Sequence, residues 1–328
     1  MGGASIYFKK KLYHGSLIQD KLLNIYMVLG IPSFHGIIPA FMKYFPCNTR
    51  TIWNKHGVSF CRNIKEYTQY TVIGHTKIIR DPRFRTVIPY ISPMDVKAVF
   101  DPFDRLLDII RKPSDELEYG LVEAVDFLRD HINIRLNDIG VSGSMLMGIH
   151  SIQYSDIDII IKGIHASEEV YSFLSETGFR RIVNWDNLNS RYILDKSMSS
   201  VIAEKRTRLY AMNKILSFIF IHSDIYSPKT CYDEQGSFNL ADVNIRRYTI
   251  FKGPLRIRIN RLGNALTYPP CVYTDKGILV SFDHIISPLL YGEECIRLEG
   301  VLKGLNYDGR NIFLLGVKET PLVKISRC

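Results

Sequence analysis

The sequence predicts an α+β protein: a mixed sheet with helices at the centre, flanked by a mixed or β-rich N-terminal region and a small all-β C-terminal domain. Three observations predict it. In the middle of the chain, periodicities alternate as helix, strand, strand, helix. Short apolar runs broken by Pro and Asp dipeptides fill the first hundred residues, and strand-length runs between turns fill the last hundred. These textures divide the chain at 1–112, 113–230 and 231–328.

In the first region, Thr71-Val72-Ile73 and Thr86-Val87-Ile88 read as strands, while Asp81-Pro82, Ser92-Pro93 and Asp101-Pro102 reset the backbone. Pro113-Ser114-Asp115-Glu116 opens the central region as a helix start with a hydroxyl cap and early acids. Leu117, Leu121, Ala124, Val125 and Leu128 then recur at helical spacing. Asp138 to Val141 and Tyr154 to Lys162 read as strands. Ser167-Glu168-Glu169 opens a second helix, which Gly178 stops. In the last region, Leu255–Ile259, Gly277–Phe282, Ile296–Leu302 and Asn311–Val317 read as strands, with Tyr307-Asp308-Gly309-Arg310 as a hairpin turn.

Chemistry concentrates at Ile139 to Gly148 and Tyr154 to Ile161. After a strand, Gly143 permits a tight turn and close approach of a ligand to the backbone. Ser144 offers a hydroxyl at the start of a short helix, whose free N–H groups suit phosphate oxygens. On the following strand, Asp156 and Asp158 share one face roughly 6 to 7 Å apart, with Ile157, Ile159 and Ile161 on the other. Paired carboxylates beside a buried sheet repel unless a cation lies between them, and hard oxygen ligands suit Mg²⁺ or Mn²⁺. Taken singly, a Gly-Ser turn or an Asp-x-Asp is an ordinary turn or a solvated strand end.

Together, the strand, Gly143-Ser144, the short helix and Ser155-Asp156-Ile157-Asp158 running into isoleucines resemble the signature of the DNA polymerase β-type nucleotidyltransferase superfamily. The match covers about 25 residues tightly. The order of regions also resembles a family of predicted archaeal nucleotidyltransferases with an N-terminal extension and a β-rich C-terminal domain. The resemblance implies a polymerase β-like core and an enzyme that transfers a nucleoside monophosphate from a nucleoside triphosphate to a hydroxyl; the basic balance of the chain makes nucleic acid the leading acceptor. It implies that Gly143 and Ser144 hold the triphosphate and that Asp156 and Asp158 ligate Mg²⁺ or Mn²⁺. It also implies a third carboxylate on a later strand, yet Ser217–Ile221 carries no acid. Asp242, with apolar flanks, ranks above Asp224 as the catalytic candidate. That gap motivates one alternative, an inactive or weak module of this fold binding RNA or nucleotide; the resemblance allows another, transfer to a protein hydroxyl, as some small relatives are proposed to do.

Charge bears on the partner. Lys and Arg number 42 against 33 Asp and Glu, giving a net charge of +9 and a pI near 9.1. Such an excess favours a polyanion. Lys205 and Arg206, before the acid-free strand, are placed either at the triphosphate or on a solvated helix face. Arg256 and Arg258, on one face of a strand, are placed either along a phosphate backbone or on a charge-blunted edge. Trp53, Tyr67 and Tyr70 among Lys55, Arg62 and Lys65 read as an aromatic core beneath a basic surface rather than a base-stacking platform.

No apolar run approaches the ~20 residues a membrane span needs. Myristoylation and secretion signals are not recognised at the start, so no membrane association is expected. The six cysteines, at 47, 61, 231, 271, 295 and 328, form no C-x-x-C pair, and reduced thiols in a cytoplasmic protein are expected.

Overall fold

A computed structural model of the chain describes residues 11–64, 76–176, 200–202, 212, 214–227, 229–245, 247–260, 264–282, 290–292, 294–320 and 323–328. The N-terminal strands are β1 (Leu17–Asp20), β2 (Ile25–Val28), β3 (Ile38–Cys47), β4 (Asn54–Lys55), β5 (Val58–Arg62), β6 (Ile78–Asp81), β7 (Thr86–Ile91) and β8 (Val96–Phe100). They form one eight-stranded sheet in the order β4-β5-β3-β2-β1-β8, with β7 joining β3 to β6. Asp101 then caps the helix Pro102–Arg111 by accepting from the Phe103 and Asp104 N–H groups, and Pro102 sits where its missing N–H costs nothing.

The helix Glu116–His131 is capped by Asp115, which accepts from Leu117 and Glu118 N–H groups at 2.9 and 3.0 Å. Ser114, the expected cap, instead donates its hydroxyl to Glu118. The central sheet contains β9 (Ile139–Val141), β10 (Ile157–Lys162), β11 (Ser200–Ile202) and β12 (Ile215–Ile221) in the order β11-β12-β10-β9. β10 runs antiparallel to β9 and parallel to β12. Its four isoleucines are all fully buried. Ile157, Ile159 and Ile161 pack beneath the helices 116–131 and Ile164–Glu176, while Ile160 meets Tyr13 and Phe103 on the opposite face. A strand covered on both sides reads as a continuous apolar run, as this one does.

After the hairpin β13 (Thr230–Asp233) and β14 (Gly236–Asn239) come β15 (Tyr248–Asn260), β16 (Cys271–Thr274), β17 (Gly277–Ser281), β18 (Cys295–Tyr307), β19 (Arg310–Leu315) and β20 (Val323–Arg327). Five of these close on themselves as β15-β16-β17-β19-β18-β15, and β20 pairs outside with β18. The pairing of β17 with β19 is parallel, and the others of the ring are antiparallel. This is the connectivity of an OB-type barrel. Gly253 on β15 directly faces Gly300 on β18, with φ of 118° and 141°, so both strands bend together at the barrel corner. Asp308 and Gly309, both at positive φ, make the two-residue turn expected between Tyr307 and Arg310.

Ile257, Ile259, Val272, Leu279, Ile296 and Leu298 fill the barrel. Its outer surface is used as well. Cys271, Ile278, Val280, Ile312 and Leu314 pack against Ile88 of β7 and against Ile31 and Phe84 in connections of the N-terminal region.

The expected α+β class is therefore corrected: the protein is mostly β, with 42% strand and 22% helix. The N-terminal region forms the large eight-stranded sheet and the C-terminal region the closed barrel, and among the described residues the helix-bearing centre has a four-stranded sheet. The expectation of reduced thiols is corrected too. All six cysteines pair, as Cys47–Cys61, Cys231–Cys271 and Cys295–Cys328.

Candidate functional site

The turn between β9 and β10 carries the site. Gly143 has φ of 64°, the left-handed region in which a side chain is strained. A Cβ there would run into Asp158 Oδ2, so the carboxylate packs directly against the bare backbone of the turn. The Ser142 N–H donates to the Asp158 carbonyl at 2.8 Å and pins the turn to β10. Ser144 Oγ lies 3.2 Å from Ser155 Oγ, which also accepts from the Ser151 N–H. Gly143, Ser144, Asp156 and Asp158 are thus brought to one place, with Asp156 and Asp158 both half-buried at the start of β10.

The helix after the turn, Gly143–Met147, is only five residues long, too short for its dipole to contribute much. Other chain segments hold it in place. Lys55 from β4 donates to the Met147 carbonyl at 2.6 Å, and Arg105 Nε donates to the Met145 carbonyl at 3.2 Å. Burial, then the neighbouring Arg105 charge, lowers the Lys55 pKa. Ser142 Oγ donates to the Gly15 carbonyl at 2.8 Å, and Leu146, Met147 and Ile149 pack with Leu17, Met27 and Phe41 of the N-terminal sheet. That sheet therefore buttresses the turn. Lys55, read from sequence as basic surface, works here instead.

The register of the central sheet shows which side chain of β12 flanks Asp158. Asp158 lies directly beside Ser217 of β12, on the same face. Asp224 lies three residues beyond the end of β12, whereas Ser217 stands near its start. Asp224 accepts hydrogen bonds from the Tyr226 and Ser227 N–H groups and the Ser227 hydroxyl. Asp242 lies in the short 3₁₀ turn Leu240–Asp242, outside the four-stranded sheet, with Asn239 donating to it at 3.4 Å. Neither acid is brought to Asp156 and Asp158. Lys205 and Arg206 lie outside the described residues. Arg256 and Arg258 are exposed on β15 of the barrel, away from this turn in the fold.

One cation escaped the sequence reading. Lys214, immediately before β12, is 4% exposed and donates to the Gln153 carbonyl at 2.9 Å. Burial lowers its pKa, and the nearby Asp156 carboxylate partly opposes that shift. A lone lysine leading into an apolar strand was the available signal. His150 Nε2 lies 2.8 Å from Asp115 Oδ2.

Among the described residues no group of three or more His, Cys, Asp or Glu side chains converges as a metal cluster. Asp156 and Asp158 alone form a donor set that one hard divalent cation could share with phosphate oxygens. With no third acid gathered to this pair, the described residues do not complete a two-ion site. No family model, curated protein or solved structure matches the chain.

Proposed function

We propose that the protein binds a nucleoside triphosphate together with one Mg²⁺ or Mn²⁺ at the Gly143–Ser144 turn and the Asp156–Asp158 pair, and that nucleotidyl transfer there is weak or absent. The observation that carries this reading is Ser217 in register with Asp158. The bare backbone at Gly143 lets phosphate oxygens approach the chain, and the Ser144 hydroxyl lies beside it. A bound divalent ion would neutralise phosphate charge. Asp156 and Asp158 would hold that ion, and Lys214 offsets part of the carboxylate charge in its absence. A serine hydroxyl neither carries the charge of a third carboxylate nor takes a proton from an attacking hydroxyl near neutral pH.

Full transfer of a nucleoside monophosphate, to a nucleic-acid end or to a protein hydroxyl, is the second reading. The convergence of the Gly-Ser turn with two carboxylates favours it. We also place the protein in the cytoplasm. The resemblance to an archaeal family supports this, while the three disulfides favour an oxidising compartment unless the source is a hyperthermophile.

Calorimetric titration of the four nucleoside triphosphates with and without Mg²⁺, paired with labelled-nucleotide transfer to RNA and to protein, tests the proposal. Mg²⁺-dependent binding that Asp156→Asn plus Asp158→Asn weakens at least tenfold, with transfer below one turnover per hour, is expected. Absence of nucleotide binding, or binding indifferent to both substitutions, contradicts the site. Steady turnover establishes the second reading.

A further inference from the structure

The barrel leaves one outer face open, and we propose that this face, formed by β15 and β18, binds single-stranded nucleic acid through its phosphate backbone. The face that OB-type barrels commonly offer to ligands lies on their second and third strands. Here those are β16 and β17, whose outward residues Cys271, Ile278 and Val280 are buried against the rest of the chain.

On β15, alternate residues from Tyr248 to Arg258 point to one side, and Lys252, Arg256 and Arg258 among them are exposed. Arg256 stands directly opposite Arg297 of β18. Like charges in directly opposed positions destabilise a strand pair unless an anion relieves them. Among the described residues, Arg256 and Arg258 have no carboxylate partner for their side chains. Two acids lie nearby. Glu299 pairs with Arg297 at 2.9 Å, but both are substantially exposed and the pair is easily exchanged for a phosphate. Asp275 accepts from the Arg258 backbone N–H and pairs with Lys276. Tyr248, 40% exposed at the far end of the same row, adds a ring on which a base can stack, next to the buried Lys303 ammonium 4.1 Å from its centre.

The row from Tyr248 to Arg258 runs roughly 33 Å at strand rise, a length matching the roughly 4 to 16 nucleotides that such barrels hold. Stacking on the exposed Tyr248 ring needs an unpaired base, which favours a single strand over a duplex. The inference does not rest on the nucleotide site, because none of these residues belongs to it.

Anisotropy of a labelled 20-nucleotide uridine RNA, titrated at several salt concentrations without nucleotide or divalent ion, is the test. Arg256→Ala, Arg258→Ala and Arg297→Ala together should weaken binding at least tenfold at low salt and reduce the log–log salt slope by about 2, at ~0.7 per lost phosphate contact. The corresponding triple lysine variant should stay within about threefold of the parent, and Asp156→Asn plus Asp158→Asn should leave binding unchanged. Equal charge removed elsewhere, by alanine at the exposed Lys77, Arg111 and Arg135, should have less than a threefold effect. The proposal is overturned if the arginine-to-alanine triple variant, folded by circular dichroism, binds like the parent, or if the distant control loses as much. It is equally overturned if duplex RNA or anionic phospholipid vesicles bind this face as tightly.

Discussion

At Gly143 the sequence and the site meet in a single atom that is not there. Any side chain would be strained at φ of 64° and would run into Asp158 Oδ2. Gly143→Ala must therefore shift the turn or turn the carboxylate away. Strain in this backbone region costs ~1 to 3 kcal/mol. We expect a fall in melting temperature together with at least a tenfold loss of Mg²⁺-dependent nucleotide binding, read by thermal melts and calorimetry. Unchanged nucleotide affinity would separate the turn from the site. Gly143, Ser144, Asp156 and Asp158 were legible in the sequence because a turn and the strand after it place them by local geometry alone. Lys214 was not legible, because its closeness to Asp156 depends on pairing strands that are more than 50 residues apart.

Among the elements, local signals carried well where a turn or a cap decided the outcome. The Asp308-Gly309 hairpin forms between the strands the sequence marked, and the helix after Pro113 begins one residue later than its hydroxyl suggested, because Asp115 accepts both orphan N–H groups. Register between distant strands carried no sequence signal. β12 reads as an apolar run that could slide by a residue, and only its parallel pairing with β10 puts Ser217 beside Asp158. A search for an acid with apolar flanks therefore chose Asp242, which the fold places in a separate 3₁₀ turn. The N-terminal sheet contributes at this scale too. β4 supplies the lysine that holds the end of the Gly-Ser helix, so an element read as an appendage shapes the site.

For the whole molecule, the sequence showed most strands but not how many would join. The eight-stranded sheet depends on non-local pairings, and the barrel closes only because β15 and β18 pair over eleven consecutive residues. Neither leaves a mark in local periodicity, so a mostly β protein read as α+β. The cysteines were misread for the same reason, since their spacing gives no sign that folding brings them together pairwise. Cys231–Cys271 ties the β13 hairpin to the barrel and Cys295–Cys328 ties the C-terminal residue to β18, closing loops of 40 and 33 residues. Chain-entropy estimates give ~3 to 4 kcal/mol for loops of this size. Non-reducing mass spectrometry should find no free thiol in the folded protein, and Cys231→Ser plus Cys271→Ser should lower stability by about 2 to 4 kcal/mol in denaturant titrations. Alkylation of all six cysteines in unreduced protein would contradict the pairing.

The central claim is that two aspartates with a serine neighbour make a one-ion nucleotide site. Electron paramagnetic resonance titration of Mn²⁺ in the presence of a non-hydrolysable nucleoside triphosphate, with free Mn²⁺–nucleotide subtracted, counts the ions directly. The account predicts one Mn²⁺ per chain, lost in Asp156→Asn plus Asp158→Asn and raised to two in Ser217→Asp. Two ions bound to the unaltered chain, or none, would contradict it.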